Sequence, residues 1–438
     1  MLTLPDDRLP VLVAGARTAF LESAGAYSPL MSYALGAEAL RGLLARPALA
    51  GFAPEAVGLV VMGTVLHETN TTNVAREAML AAGLPATIPA YTVAMAGISP
   101  SVGVMNICDQ IALGRLDFGI ASGTDNFSDV PVRLSQNIRR TLMKIRQSRD
   151  SGERLRLLGR LRPSDLKLDL PSSADFTTGL TMGAACEAMA RTFGASREAS
   201  DAFAAESHAR SIAATQAGHY REQIVPVTVD GVTITEDNTA RADATPASLA
   251  QLKPVFDRAH GVITPGNASR FSDGAGALLL SSLGRARAQG LPVQAIIRDY
   301  LLAGVGRLDT EMLLGPALTI PRLLAHNGLG FADIGVWEIH EAFATQLLIN
   351  QQCMASPAFV AERFGPGTPS GDIPPEKLNA WGGSLGLGNP FAATGVRLLQ
   401  TAAQRLKAEC QRYAVVSTCA GGGLGAALLL ENPDALSS

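Results

Sequence analysis

An internal repeat limits the possible folds of this chain more than any other feature. GISPSVG at 97–103 lies over NPFAATG at 389–395, and each stretch carries a glycine six residues after its first position and runs into a helical pattern. A strand-like run follows each one, LDFGIASG (116–123) in the first case and YAVVSTCAGG (413–422) in the second. Strand-like runs also precede them, VGLVVMGTV (57–65) and residues 90–93 before the first, IGVWEIH (334–340) before the second. The reading is two copies of one α/β unit. The flanking segments fit it. VLVAG (11–15), PVQAIIRDYLLAG and AALLLE read as strands. SYALGAEALRGLLAR (32–46) reads as a helix, with Leu40 and Leu44, and Leu35, Ala39 and Leu43, on one side. A helix is also expected over 99–113 and over PFAATGVRLLQTAAQRL. Strands alternating with helices predict α/β architecture. The repeat makes Gly97 and Asn389 counterparts, each just before a helix N-terminus, where free N–H groups and the helix dipole favour negative charge.

With 438 residues the chain exceeds one ordinary core. The repeat suggests an N-terminal half of 1–124 with 256–284, a different region at 125–255, and a C-terminal half of 285–438. Within the middle region, residues 131–170 hold 11 Lys and Arg against 4 acids, a local excess of +7 in a chain of net charge −3. Ile138, Leu142 and Ile145 recur there at helical spacing, so a basic amphipathic helical hairpin is expected. It reads either as a solvated face or as a contact for a partner subunit, a membrane surface or an anionic substrate. The small overall charge gives no reason to expect nucleic acid. Five cysteines without a C-x-x-C pair fit a reduced compartment better than disulfides or a zinc site, and no metal is expected. The opening MLTLPDDRLP lacks the apolar core of a secretory leader, and no apolar run reaches the roughly 18 residues needed to span a bilayer. The expected location is the cytoplasm.

Five segments in order then carry a family resemblance: YTVAMAGIS, ITPGNASRFSDGAGALLL (263–280), WEIHEAFA, LGLGNPFAATG and STCAGGGLG. With them go TTGLTMGAACEAMA (177–190), KPVFDRAHG (253–261), EMLLGP (311–316) and the basic insertion. In this set, over nearly its whole length, the chain resembles the thiolases. The nearest resemblance is to the degradative 3-ketoacyl-CoA thiolases that partner a multifunctional β-oxidation subunit. The resemblance implies five α-β-α-β-α layers built from two duplicated α/β halves, with a loop domain over the active site. It implies a homodimer or higher oligomer, coenzyme A thioester as substrate or ligand, and no covalently bound cofactor. It also implies reversible Claisen condensation or thiolysis through a cysteine thiolate, a G-H-P histidine, a second cysteine in C-x-G-G and an oxyanion site.

Carried onto this chain, His340 of HEAF and Cys419 of CAGG match, whereas Gly97 stands at the nucleophile position and Asn389 at the G-H-P histidine. Gly97 has no side chain to acylate, and Asn389 is no base, although its amide N–H can bind an oxyanion. The backbone N–H groups of Gly97 and Gly421 correspond to a second oxyanion pocket. Ser269 matches a serine on the pantetheine arm, and Met182 a methionine of the acyl pocket. The His340–Asn389 pair resembles that of the ketoacyl synthase III enzymes, where such a pair stabilises a thioester enolate. Cys419 is the only plausible substitute for the missing thiol: Cys108 lies ~16 Å further along the helix, and Ser99 has no visible base. Taken singly, each residue has a structural reading: His340 or Cys419 as core residues, Asn389 as a helix cap, Gly97 as a backbone position needing positive φ, Ser269 as a turn residue, Met182 as packing. Three functions remain open at this point. The first is C–C bond chemistry on a CoA thioester through an enolate, without an acyl-enzyme. The second is a non-catalytic acyl-CoA-binding or scaffold partner. The third is conventional acyl transfer, with Cys419 as nucleophile or with position 97 mutated from a native cysteine.

Overall fold

The computed structural model describes residues 5–172 and 174–436. Nine strands form its frame: β1 (Pro10–Thr18), β2 (Leu59–Gly63), β3 (Ala90–Val93), β4 (Phe118–Asp125), β5 (Ser272–Ser282), β6 (Ala295–Gly304), β7 (Val336–Ile339), β8 (Tyr413–Ala420) and β9 (Leu424–Glu431). The longer helices are α1 (Ser32–Leu44), α2 (Val74–Ala81), α3 (Ser99–Ala112), α4 (Gln136–Gln147), α5 (Ser151–Leu158), α6 (Met182–Phe193), α7 (Arg197–Gln216), α8 (Gly315–Asn327), α9 (Ala344–Ala355) and α10 (Phe391–Ala408).

The order of the strands exposes the duplication. Along the hydrogen-bonded path it runs β7-β8-β9-β6-β1-β5-β4-β2-β3. Reading outward from the centre, β1-β5-β4-β2 repeats as β6-β9-β8-β7. The halves meet where β1 and β6 pair antiparallel at Val11↔Ile296 and Leu12↔Ala295. β2 pairs parallel with β4, and β7 parallel with β8. Repeat counterparts thus occupy matching places, α3 leading into β4 and α10 into β8.

Both faces of these strands are covered, which is why they read as near-continuous apolar runs. In β5, Ala275, Ala277 and Leu279 join the cluster formed with α1 and α2, while Leu278 and Leu280 face a middle cluster with α3 and α10. In β8, Ala414, Val416 and Ala420 face that same middle cluster, while Val415 and Cys419 pack toward α8 and α9. The result is five layers: α1/α2, sheet, α3/α10, sheet, α8/α9. The duplicated helices form the shared centre.

The segment between β4 and β5 differs in kind. α6 and α7 lie against α9, whereas α4 and α5 form the basic hairpin beside a two-residue ladder, Arg133–Leu134 with Asp169–Leu168. Ile138 is buried, but Leu142, expected on the packed side, is 43% exposed, because the hairpin has no second layer to cover it. A short strand of the same segment, Ile224–Val225, pairs parallel with the end of β1. Several strand ends differ from the sequence reading by two residues. β8, for example, stops at Ala420, where the turn over 421–423 takes positive φ at Gly422 and Gly423.

Candidate active site

The tip of α3 is a tight turn. Ala96 takes φ 48°, and the Ser99 hydroxyl closes the turn by accepting from Met95 N–H at 2.8 Å and donating to the Ala96 carbonyl at 2.6 Å. This bonding occupies Ser99, so its role is to cap the turn. Gly97 itself lies outside the left-handed region, so the backbone there does not require glycine. A β-carbon built on Gly97 would lie 3.7 Å from the Cys419 carbonyl oxygen and 4.0 Å from Ala420 Cβ, ordinary contact distances. The end of β8 and the tip of α3 therefore meet at this point, with room for a side chain. It is the Cys419 main chain that faces Gly97. The Cys419 thiol packs in the cluster that also holds Cys186 of α6. Burial pushes that thiol up to about 12, so it is protonated at neutral pH. Two residues on, Gly421 lies beside Met182, whose Sδ would sit 3.3 Å from a β-carbon at 421.

Asn389 and His340 approach from the other side. Asn389 Nδ2 donates to Ser269 Oγ at 3.1 Å, and its Oδ1 accepts from the Thr394 hydroxyl at 2.9 Å. Its side chain does not cap the backbone of α10; Pro390 stands at the N-cap position. One amide hydrogen of Asn389 is left for another acceptor. Ser269 N–H bonds to the Ala342 carbonyl at 2.9 Å, which ties Ser269 and Asn389 to the HEAF segment. His340 follows β7, and its N–H bonds to the Ser417 carbonyl at 2.9 Å, two residues before Cys419. Its Nδ1 is 2.9 Å from Ser384 Oγ. Burial, then the nearby Arg397 charge, push the imidazole down to about 3. His340 is thus a neutral ring at physiological pH. Gly97, Cys419, Gly421 and Met182 form one contact chain and Asn389, Ser269 and Ala342 of HEAF another, and the His340–Ser417 hydrogen bond ties the HEAF segment to the strand that carries Cys419.

Three residues that sequence reasoning passed over hold this arrangement. Asp125, at the end of β4, accepts from Val65 and Leu66 N–H, both at 2.9 Å, and from Ala392 N–H of α10 at 2.8 Å. It pins the Asn389-bearing helix tip to the other half. Glu341 accepts from Ser207 and Asn379 side chains at 2.7 Å and from Leu385 N–H at 3.1 Å, which fixes the turn that carries Ser384. Arg397, fully buried on α10, reaches Ser384 Oγ at 3.1 Å. Glu341 and Arg397 stood inside motifs already quoted. The available signal was an acid and an arginine inside apolar runs with no opposite charge a helical turn away. Among the described residues, no group of three or more His, Cys, Asp or Glu is placed to hold a metal, and no helix is long and apolar enough to cross a membrane.

Layered halves whose central helices begin beside Gly97 and Asn389 define a duplicated α/β protein. The family descriptions narrow this. "Thiolase, N-terminal domain" matches residues 10–283 and "Thiolase, C-terminal domain" matches residues 291–432. The chain belongs to the thiolase family. It is 40% identical over 431 residues to the mouse protein "Trifunctional enzyme subunit beta, mitochondrial", covering 98% of this chain and 90% of that protein. It is 36% identical over 433 residues to "3-ketoacyl-CoA thiolase" of Pectobacterium atrosepticum, covering 98% of each. Among solved structures, human mitochondrial 3-ketoacyl-CoA thiolase in complex with CoA superposes with a TM-score of 0.81 at 27% identity, covering 98% of this chain and 99% of that one.

Proposed function

We propose that this protein makes or breaks a carbon–carbon bond next to a CoA thioester through an enolate, without a covalent acyl-enzyme. The observation that carries the reading is position 97. It matches the family's nucleophile position, it has no side chain, and it faces the end of β8 with space to spare. Asn389 in place of the G-H-P histidine agrees with this, because no thiol is present for a histidine to activate. What remains is a set of hydrogen-bond donors suited to an oxyanion: the His340 ring N–H, the spare Asn389 amide hydrogen and the backbone N–H groups of Gly97 and Gly421. As the bond from the α-carbon to a carboxylate breaks, CO2 leaves, the bond's electron pair moves into the thioester, and these donors stabilise the enolate oxygen. The protonated Cys419 thiol then gives its proton to the α-carbon and recovers one from water. Ser269 would hold the pantetheine arm, Met182 would border the acyl chain, and no bound cofactor takes part.

The names of the relatives favour ordinary thiolysis. That reaction would need Cys419 as nucleophile, and its burial and protonation weigh against this. The test is turnover of β-hydroxy-, β-keto- and malonyl-type CoA esters, with products identified by mass. No turnover of any ester, combined with tight acyl-CoA binding, would leave a binding protein. An acyl adduct on Cys419 would establish the conventional route.

The basic hairpin serves a partner subunit in this reading. The mouse relative's name, a subunit of a trifunctional enzyme, supports it. So do Met143, Leu155, Leu166 and Leu168, exposed among the arginines of residues 131–170. The proposed state is a cytoplasmic homodimer or larger assembly. Co-purification of neighbouring gene products, lost when Leu155 and Leu166 become serine, tests the surface; binding to anionic vesicles instead would reassign it.

A further inference from the structure

The geometry points to Ser384 and Arg397 as a positioning pair that fixes which nitrogen of His340 carries the proton. The inference rests on the enolate reading and deepens it by giving His340 a defined donor atom. Arg397 is a donor without acceptor capacity, so Ser384 Oγ accepts its Nη2–H at 3.1 Å. The other recorded side-chain partner of Ser384 is His340 Nδ1, at 2.9 Å. If Nδ1 carried a proton, Ser384 Oγ would accept from both sides, and its own hydroxyl hydrogen would be buried without an acceptor. A buried donor left without an acceptor is strongly disfavoured. The satisfied arrangement has Arg397 donating to Ser384 and Ser384 donating to Nδ1, which leaves the ring proton on Nε2. A second ring proton is disfavoured first by burial and then by the Arg397 charge one hydroxyl away.

Arg397 is well built for this task. It is fully buried on α10, and among the described residues its Nε and Nη1 have no partner and its hydrogen bond goes to Ser384. The buried carboxyls of Glu338 and Glu341 offset its charge from nearby, with Glu338 itself bonded to Arg405 at 2.8 Å. The guanidinium thus spends its directed contact on the hydroxyl that orients His340. A fixed hydrogen-bond partner on the second ring nitrogen holds a functional imidazole in one tautomer.

The test is 15N NMR of protein labelled only at histidine, where six histidines give a sparse spectrum and His340→Gln identifies the resonances. The wild-type ring should be neutral with the proton on Nε2. Ser384→Ala should shift it toward the Nδ1–H form or a mixture, and Ser384→Thr should keep the wild-type pattern. On any CoA ester that is turned over, Ser384→Ala should lower kcat roughly ten- to a hundredfold at little change in KM. Wild-type protein with the proton on Nδ1, or a ring unaffected by Ser384→Ala, would overturn the inference. The wild-type spectrum decides even if a variant does not fold. The expected tautomer with no turnover of any ester would leave the positioning role standing and remove the enolate chemistry.

Discussion

The α-carbon of Gly97 and the carbonyl oxygen of Cys419 approach so that an added β-carbon would lie 3.7 Å from that oxygen, a normal van der Waals contact. The backbone at 97 accepts any L-residue. Gly97→Ala should therefore stabilise the protein by about 0.4–1 kcal/mol, by restricting the unfolded chain. Urea denaturation of the two proteins measures it. The double replacement Gly97→Cys, Asn389→His should fold equally well and gain acetoacetyl-CoA thiolysis, which a free-thiol release assay detects.

Gly123 behaves in the opposite way. A β-carbon there would sit 1.7 Å from the Ala392 carbonyl oxygen, because the first turn of α10 lies directly on β4. Gly123→Ala must lift the helix tip, strain the Asp125–Ala392 hydrogen bond and displace Asn389. A loss of about 1–3 kcal/mol is expected, with weakened acyl-CoA binding by calorimetry.

Acid should destabilise the protein partly through His340. Its folded value, pushed down to about 3, lies below the ordinary value of about 6.5. Between these pH values the unfolded chain binds a proton that the folded one refuses, so stability falls as pH drops through the window. One such group contributes at most about 1.4 kcal/mol per pH unit. His208, pushed down to about 4 by burial and then by Arg241, acts in the same direction. In denaturation series from pH 7 to pH 4, His340→Gln should show a shallower decline than wild type.

Cys419 should resist alkylation by iodoacetamide at pH 7 in the native state, because the thiol is buried and protonated. Cys410, exposed, should label first. Cys419→Ala should leave the thermal midpoint within a few degrees, yet lower kcat about a hundredfold or more on an active ester, the usual scale for a lost proton donor.

The duplication was legible because strand and helix periods survive in each half, and the repeat alone pairs Gly97 with Asn389. The supporting residues were not. Arg397 lies on a helix whose pattern of apolar and polar residues resembles a surface helix, yet it is fully buried against Ser384. Ser384 acquires its role from Arg397 and His340, 13 and 44 residues away. Asp125 joins residues on opposite halves, a contact that no local pattern encodes. Leu142 erred the other way: helical spacing shows which residues share a side, not whether anything covers it.

The open contact at the tip of α3 also bears on how such a chain can change over generations. Position 97 contributes little to packing and imposes no special backbone geometry, so it can vary while the fold stays intact. Residues such as Gly123 and Asp125 have no such licence, and new reactions are expected to arise at the former kind of position.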